Sequence, residues 1–289
     1  MLAWLPVLVP ASVIFGFEQS VQDPRLREMA ARMIVEFSIG SADLPEKIMS
    51  DPSSCRNEVW SSIIFTFFRW PQAMSMVVLV GVIAPLLVTY DLRSKAYLMY
   101  FSRPLRPRDY ILGKSAVIWF YISLISALPA LLVFLAATML SPDLSVLRET
   151  WDIPLKILLG AIVLVVPATS LALCYAAHTN ESRYAIFLWF ATWAIGFVSY
   201  WMLTGATAAR NAQQADYPGD RSQAFGGLVD LDTWSLVSLH EILGNVHAWI
   251  FGVDDGSSWA FIPSVLVLVF VSVGGWWLIR KRIVARLSI

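Results

Sequence analysis

His240, Glu241 and His247 stand close together late in the chain and have the residue types of a metal or acid–base site. On a helix, however, an i, i+7 spacing sets the two imidazoles about 10 Å apart along the axis, too far to share one ion directly. They read as ordinary histidines on a polar face. A zinc protease helix needs His-Glu-x-x-His, and this chain lacks that pattern. A serine hydrolase needs a base beside its nucleophile, yet His178 falls at the end of an apolar run and the other two histidines in a polar connection. Gly113-Lys114-Ser115 matches the close of a phosphate-binding loop, but Arg108 occupies the position where that loop requires its first Gly. The backbone cradle for phosphates cannot form there in the usual way. Cys55 and Cys174 are too few for a disulfide framework and read as small hydrophobes.

The densest chemistry is cationic. Tyr90–Lys114 reads Y-D-L-R-S-K-A-Y-L-M-Y-F-S-R-P-L-R-P-R-D-Y-I-L-G-K, with six cations (Arg93, Lys95, Arg103, Arg106, Arg108, Lys114) against Asp91 and Asp109. Leu92, Ala96, Met99 and Tyr100 mark a short helix, Pro104 and Pro107 break it, and Asp109 is placed to cap the next one. Tyr97, Tyr100 and Phe101 add an apolar face. A cationic, aromatic, proline-fixed elbow suits docking into a groove with an acidic rim. The same residues would also set membrane topology and meet anionic lipid without binding protein. Pro104-x-x-Pro107 is too short a match to identify an SH3-type ligand.

The elements that must hold this elbow are membrane spans. Of 289 residues 57% are hydrophobic and only 15% charged, against about 25% charged in soluble domains. That balance excludes a soluble globule, a disordered chain and a nucleic-acid partner. A bilayer core takes roughly 20 apolar helical residues. Ala73–Tyr90, Ser115–Leu140, Ile157–Ala177, Ala185–Ala208 and Ala260–Ile279 meet this without any Asp, Glu, Lys or Arg. Met1–Phe17 is a sixth span interrupted by Pro6 and Pro10; it lacks the basic start and small-residue cleavage site of a signal peptide, so it is read as retained. The expected fold is therefore an all-α integral membrane protein, one domain over 1–289 with spans near 1–17, 73–90, 115–140, 157–177, 185–208 and 260–279. Charges inside spans mark ion paths and proton relays, and these spans offer none.

Lys and Arg near span ends orient the chain. With alternating spans, the elbow at 91–114 and the tail holding Arg280, Lys281, Arg282 and Arg286 share one side, which makes both termini cytoplasmic. That side receives 11 basic and 3 acidic residues, a net of +8, and the other side −8, so the overall zero is a cancellation between two faces. The segments 18–72 and 209–259 then lie outside, offering a surface to an extracytoplasmic partner. Leu26, Met29, Met33 and Phe37 repeat at helical spacing in the first. In the second, Leu236, Leu239, Ile242, Leu243, Val246 and Ile250 mark an amphipathic helix, with Asp232 and Thr233 as caps.

The runs Asp91-Leu-Arg93, Ser102-Arg103-Pro104-Leu105, Arg108-Asp109-Tyr110 and Gly113-Lys114 resemble the cytoplasmic connection between spans two and three of ABC exporter permeases of the second exporter type. Beyond these residues the likeness is architectural: six spans, an outer helix before the last and a basic tail. The resemblance implies a transport subunit that is not itself an enzyme. It would lie in the cell membrane, pair with a second permease copy or homologue, and dock on a separate ABC-type ATPase. ATP and Mg would belong to that partner, with no cofactor on this chain. It also implies that Arg93, Tyr100, Phe101, Arg103, Pro104, Arg106, Arg108, Asp109, Tyr110 and Lys114 form the docking elbow. One departure is that such permeases usually carry an amphipathic helix ahead of the first span, whereas Met1 here stands inside it. The rival reading is a non-transporting anchor that presents its outer segments to partners.

Overall fold

The computed structural model describes residues 7–37, 44–94, 106–141, 146–179, 181–215, 234–253 and 260–287. Among these residues there is no strand, and five helical stretches are long and apolar enough to cross a membrane: Arg56–Thr89, Arg108–Leu140, Ile153–His178, Ser182–Ala206 and Phe261–Ala285. By that measure of length and composition the chain is a multi-pass membrane protein. The helix that overlaps the first predicted span, α1 (Leu8–Gln22), runs past Phe17 through Glu18, has 15 residues and is shorter than those five. Helices α2 (Arg27–Phe37), α3 (Leu44–Ser50) and α4 (Arg56–Phe67) follow. The first of these carries Met29, Met33 and Phe37 of the predicted periodicity, and Leu26 stands in the 3-10 turn Pro24–Leu26 just before it.

The helix that carries the predicted second span begins well before Ala73. Helix α4 continues through a π turn at Phe68–Gln72 into α5 (Ala73–Arg93), so one rod runs from Arg56 to Arg93 and holds Arg69 in its interior. The sequence Arg69-Trp70-Pro71-Gln72 has the look of a boundary because Pro removes a backbone donor and crowds the preceding turn. The wider π turn accommodates Pro71 and keeps the rod continuous.

The third span is two helices, α6 (Pro107–Ile125) and α7 (Ala127–Leu140). Pro129 cannot donate to the Ile125 carbonyl, and at the break Ser126 Oγ donates to Ile122 O at 2.8 Å. After the short α8 (Val146–Glu149) come α9 (Ile153–His178), α10 (Ser182–Ala215), α11 (Leu239–Phe251) and α12 (Phe261–Leu287).

Helix α9 is the central post, touching α5, α6, α7, α10, α11 and α12. Small buried residues (Gly160, Ala161, Ala168, Ser170, Ala172, Ala176) let its neighbours approach closely. Ser170 Oγ donates to Ser272 O on α12 at 2.7 Å, and Gly275 packs directly on Ser170. One apolar cluster gathers Phe17, Trp60, Phe68, Phe134 and Ile157 around the Arg56 end of the rod. A second gathers Met76, Val80, Ala84, Leu164, Leu173 and Ile279 around the Asp91 end. Helices α10 and α12 bury little of their span; Phe187, Ile195, Trp201, Phe270 and Val273 are among their exposed side chains. In a bilayer these would face lipid or a partner.

Candidate functional site

At the Asp91 end, the predicted elbow begins and ends on a polar knot. Lys114 Nζ lies 2.7 Å from Asp91 Oδ2, and Tyr110 donates its hydroxyl to the same oxygen at 3.1 Å. The Lys114 ammonium also sits 5.6 Å from the centroid of the Tyr110 ring. Tyr110 is buried and Lys114 largely so, because the carboxylate at the end of α5 and the first turns of α6 close on one another. Thr89 Oγ1 adds a 3.2 Å bond to Ala176 O, which joins the same end to α9. Arg106, Arg108 and Asp109 are exposed at the start of α6. Pro107 opens that helix at a position where its missing N–H costs nothing, and Asp109 Oδ2 accepts from the Arg106 N–H at 3.3 Å, as its capping role requires. Tyr100, Phe101, Arg103, Pro104 and the short helix expected around Leu92–Tyr100 lie outside the described residues from 95 on, as does the side chain of Arg93. The structure therefore brings Tyr110 and Lys114 together on Asp91 and leaves Arg106 and Arg108 exposed.

A second cluster lies inside the bundle. Arg69, thirteen residues from Arg56 and so about 20 Å along the rod, forms an ion pair with Glu241 of α11. His240 Nε2 lies 3.0 Å from the Arg69 carbonyl and its Nδ1 3.0 Å from Glu241 Oε1. The Trp70 ring packs on His240 at 4.9 Å and Phe197 of α10 meets it edge-on at 6.2 Å. Gly244 leaves room for the Arg69 guanidinium, which a Cβ at that position would displace. One turn further, His247 Nε2 donates to Gly160 O at 2.9 Å. Burial pushes its pKa down to about 4, which keeps this imidazole neutral near pH 7. Burial also pushes the Glu241 carboxyl up, but the His240 hydrogen bond and the Arg69 charge outweigh it and hold the group below the ordinary carboxylate value.

These positions correct the expectation that His240 and His247 lie on a polar outer face. Both are buried, at 3% and 1% exposure. Helix α11 starts at Leu239, behind a 3-10 turn at Ser235–Val237, and wedges against the rod, α9, α10 and α12. Its apolar stripe covers α9 and α12, while its polar side finds partners on the rod and on the Gly160 carbonyl, so it needs no wet face. The caps proposed at Asp232 and Thr233 lie outside the described residues.

The Arg56 end carries a third cluster. Glu18 of α1 accepts from Arg56 Nε (3.1 Å), Arg56 Nη2 (3.4 Å), Trp60 Nε1 (3.2 Å) and Ser141 Oγ (3.0 Å). Arg56 Nη1 reaches Glu149 at 3.1 Å, and Asn57 bonds Asp152, which pairs with Lys156 at 2.8 Å. This network seats α1 and the α7–α9 connection on the rod. The missed residues, Arg69 with Glu241 and Arg56 with Glu18, are ion pairs between distant parts of the chain. The one local signal was an Arg-Trp-Pro-Gln run too polar to end an apolar span cleanly.

No family model, curated protein or solved structure matches this chain.

Proposed function

We propose that the chain is the membrane-spanning permease subunit of an ATP-driven ABC exporter, sited in the cell membrane with both termini in the cytoplasm. It works beside a second permease copy and takes its power from a separate ATPase docked on 91–114. The observation that carries this reading is the Asp91–Lys114–Tyr110 knot beneath an outward-facing Arg106 and Arg108. A partner with an acidic groove would grip the exposed arginines, whose planar guanidinium groups suit bidentate carboxylate contacts. The knot ties both ends of the gripped segment, α5 and α6, so a displacement of the elbow reaches two spans together instead of dissipating in one. Through Thr89 the same displacement reaches α9, the post on which the bundle is packed. ATP hydrolysis would thus be felt as a shift of three helices on one side of the membrane.

The reading is tested by affinity purification of the intact chain from its native membrane. A co-purifying ATPase with a phosphate-binding loop is expected, and the paired substitution Arg103→Glu and Arg106→Glu is expected to lose it or to uncouple its hydrolysis. Lys114→Met should retain the ATPase while lowering coupled turnover, because it loosens the knot without touching the exposed cations. Purified complexes that never contain an ATPase would overturn the proposal.

A further inference from the structure

The His240 ring faces two acceptors. Its Nε2 meets a backbone carbonyl and its Nδ1 a carboxylate oxygen, each at 3.0 Å. A neutral imidazole carries one N–H and one lone pair, whereas a carbonyl and an ionised carboxylate only accept. One of the two contacts therefore requires an additional proton. The Arg69 guanidinium lies on the other oxygen of Glu241 and favours the ionised carboxylate. The His240 and Glu241 side chains are 3% and 8% exposed, which leaves little access for a water that could relieve a lone-pair clash.

We propose that Arg69, His240 and Glu241 form a buried proton-binding site, in which His240 is an imidazolium whose second proton fastens α11 to the π turn of the rod. The surrounding charges are few. From the π turn, Arg69 opposes the added proton and Glu241 on α11 compensates it. His247 on α11 is committed to Gly160 O. Farther along the rod Arg56 is held by Glu18 and Glu149, and on α9 Lys156 is held by Asp152. Helix α10 faces the ring with Phe197, and α12 meets α11 through Ser264, 3.2 Å from Asn245. Loss of the proton would set the Nδ1 lone pair against the carboxylate. The fastening is thus present with the proton bound and weakens as pH rises.

The chain has only three histidines, so ring-15N spectra of the full, histidine-labelled protein in lipid nanodiscs can resolve each one. His178→Gln and His247→Asn identify the other two signals. At pH 7.5, where an ordinary exposed imidazole is roughly 90% neutral, His240 should show two protonated ring nitrogens and His247 one. In Glu241→Gln the amide can donate to Nδ1, so the His240 ring should revert to a single protonated nitrogen while its Nε2–H bond to Arg69 O persists. In the unmodified protein, amide exchange over 239–244, corrected for intrinsic rates, should speed up at least tenfold between pH 7 and pH 9. A single protonated nitrogen on His240 at pH 7.5, or two in Glu241→Gln, would overturn the proposal. So would pH-independent exchange over 239–244.

Discussion

Replacing Arg56 by Met asks whether α1 is seated on the rod through Glu18. The side chains of Arg56 and Glu18 are 7% and 1% exposed, so neither charge has ready access to water. Methionine keeps much of the alkyl bulk and removes the guanidinium, leaving the Glu18 carboxylate with two neutral donors, Trp60 Nε1 and Ser141 Oγ. Removing one member of a buried ion pair costs about 3–5 kcal/mol. The two surviving hydrogen bonds place this case near the lower end, about 3 kcal/mol. With roughly 2–4 °C of Tm per kcal/mol for chains of about this size, Arg56→Met should melt about 6–12 °C below the parent protein. Glu18→Gln should be milder, about 1–3 kcal/mol, because Arg56 keeps its contact with the half-exposed Glu149. Combining Glu18→Leu with Arg56→Met removes both charges and should recover most of the loss, since an apolar pair often replaces a buried ion pair without penalty. Tryptophan fluorescence on heating in nanodiscs is the assay, with Trp60 buried against the Glu18 carboxylate as a local reporter. If Arg56→Met melts within 2 °C of the parent and the double variant is no better, the Glu18 carboxylate is hydrated and the seating described above is wrong.

Gly275→Val should cost about 1–3 kcal/mol, because its Cβ would press on Ser170 of the central post. The adjacent Gly274→Val, where a Cβ meets nothing within 4 Å, serves as the control and should leave Tm nearly unchanged. His247 gives a pH signature of definite sign. Its folded pKa of about 4 lies below the ordinary 6.5, so the unfolded chain binds the extra proton and stability falls as pH drops from about 6.5 to about 4. The full difference is about 3 kcal/mol, and His247→Asn should flatten the Tm-against-pH curve across that window.

Span existence was legible because long uncharged apolar runs have few other ways to fold in quantity. The runs at 115–140, 157–177, 185–208 and 260–279 coincide, to within two residues at either end, with stretches inside helices of span length. What hydropathy could not show was that the helix carrying the second span continues back to Arg56. Arg69, Pro71 and Gln72 each read as an exit from an apolar helix, whereas the helix continues through them and α11 supplies the partner of Arg69. The stripe from Leu236 to Ile250 correctly announced a helix, but periodicity describes one face and says nothing of a partner for the other. His240 and Glu241 were therefore assigned to water when their partners stand about 170 positions earlier in the chain. A concentration of cations over 93–114 was legible. Which of them point outward was not, because Lys114 and Tyr110 turn inward to a carboxylate, Asp91, that composition had counted as a mere offset.

The rod from Arg56 to Arg93 is pinned at three heights: by Glu18 and Glu149, by Glu241, and by Lys114. Sliding it by one residue, about 1.5 Å, would strain all three pins at once, so an axial piston stroke is its most costly displacement. Rocking about the middle pin spares that pin and loads the bonds on either side of it, including Trp189 to the Val77 carbonyl and Thr89 to the Ala176 carbonyl, which makes the π turn the natural fulcrum of a lever. Its arms run thirteen residues to Arg56 and twenty-two to Asp91, about 20 Å and about 33 Å. A shift of about 1.7 Å at the cationic end would then appear as about 1 Å, in the opposite direction, where α1 is seated. Such a lever trades travel for force, and its larger stroke belongs to the end that carries the elbow.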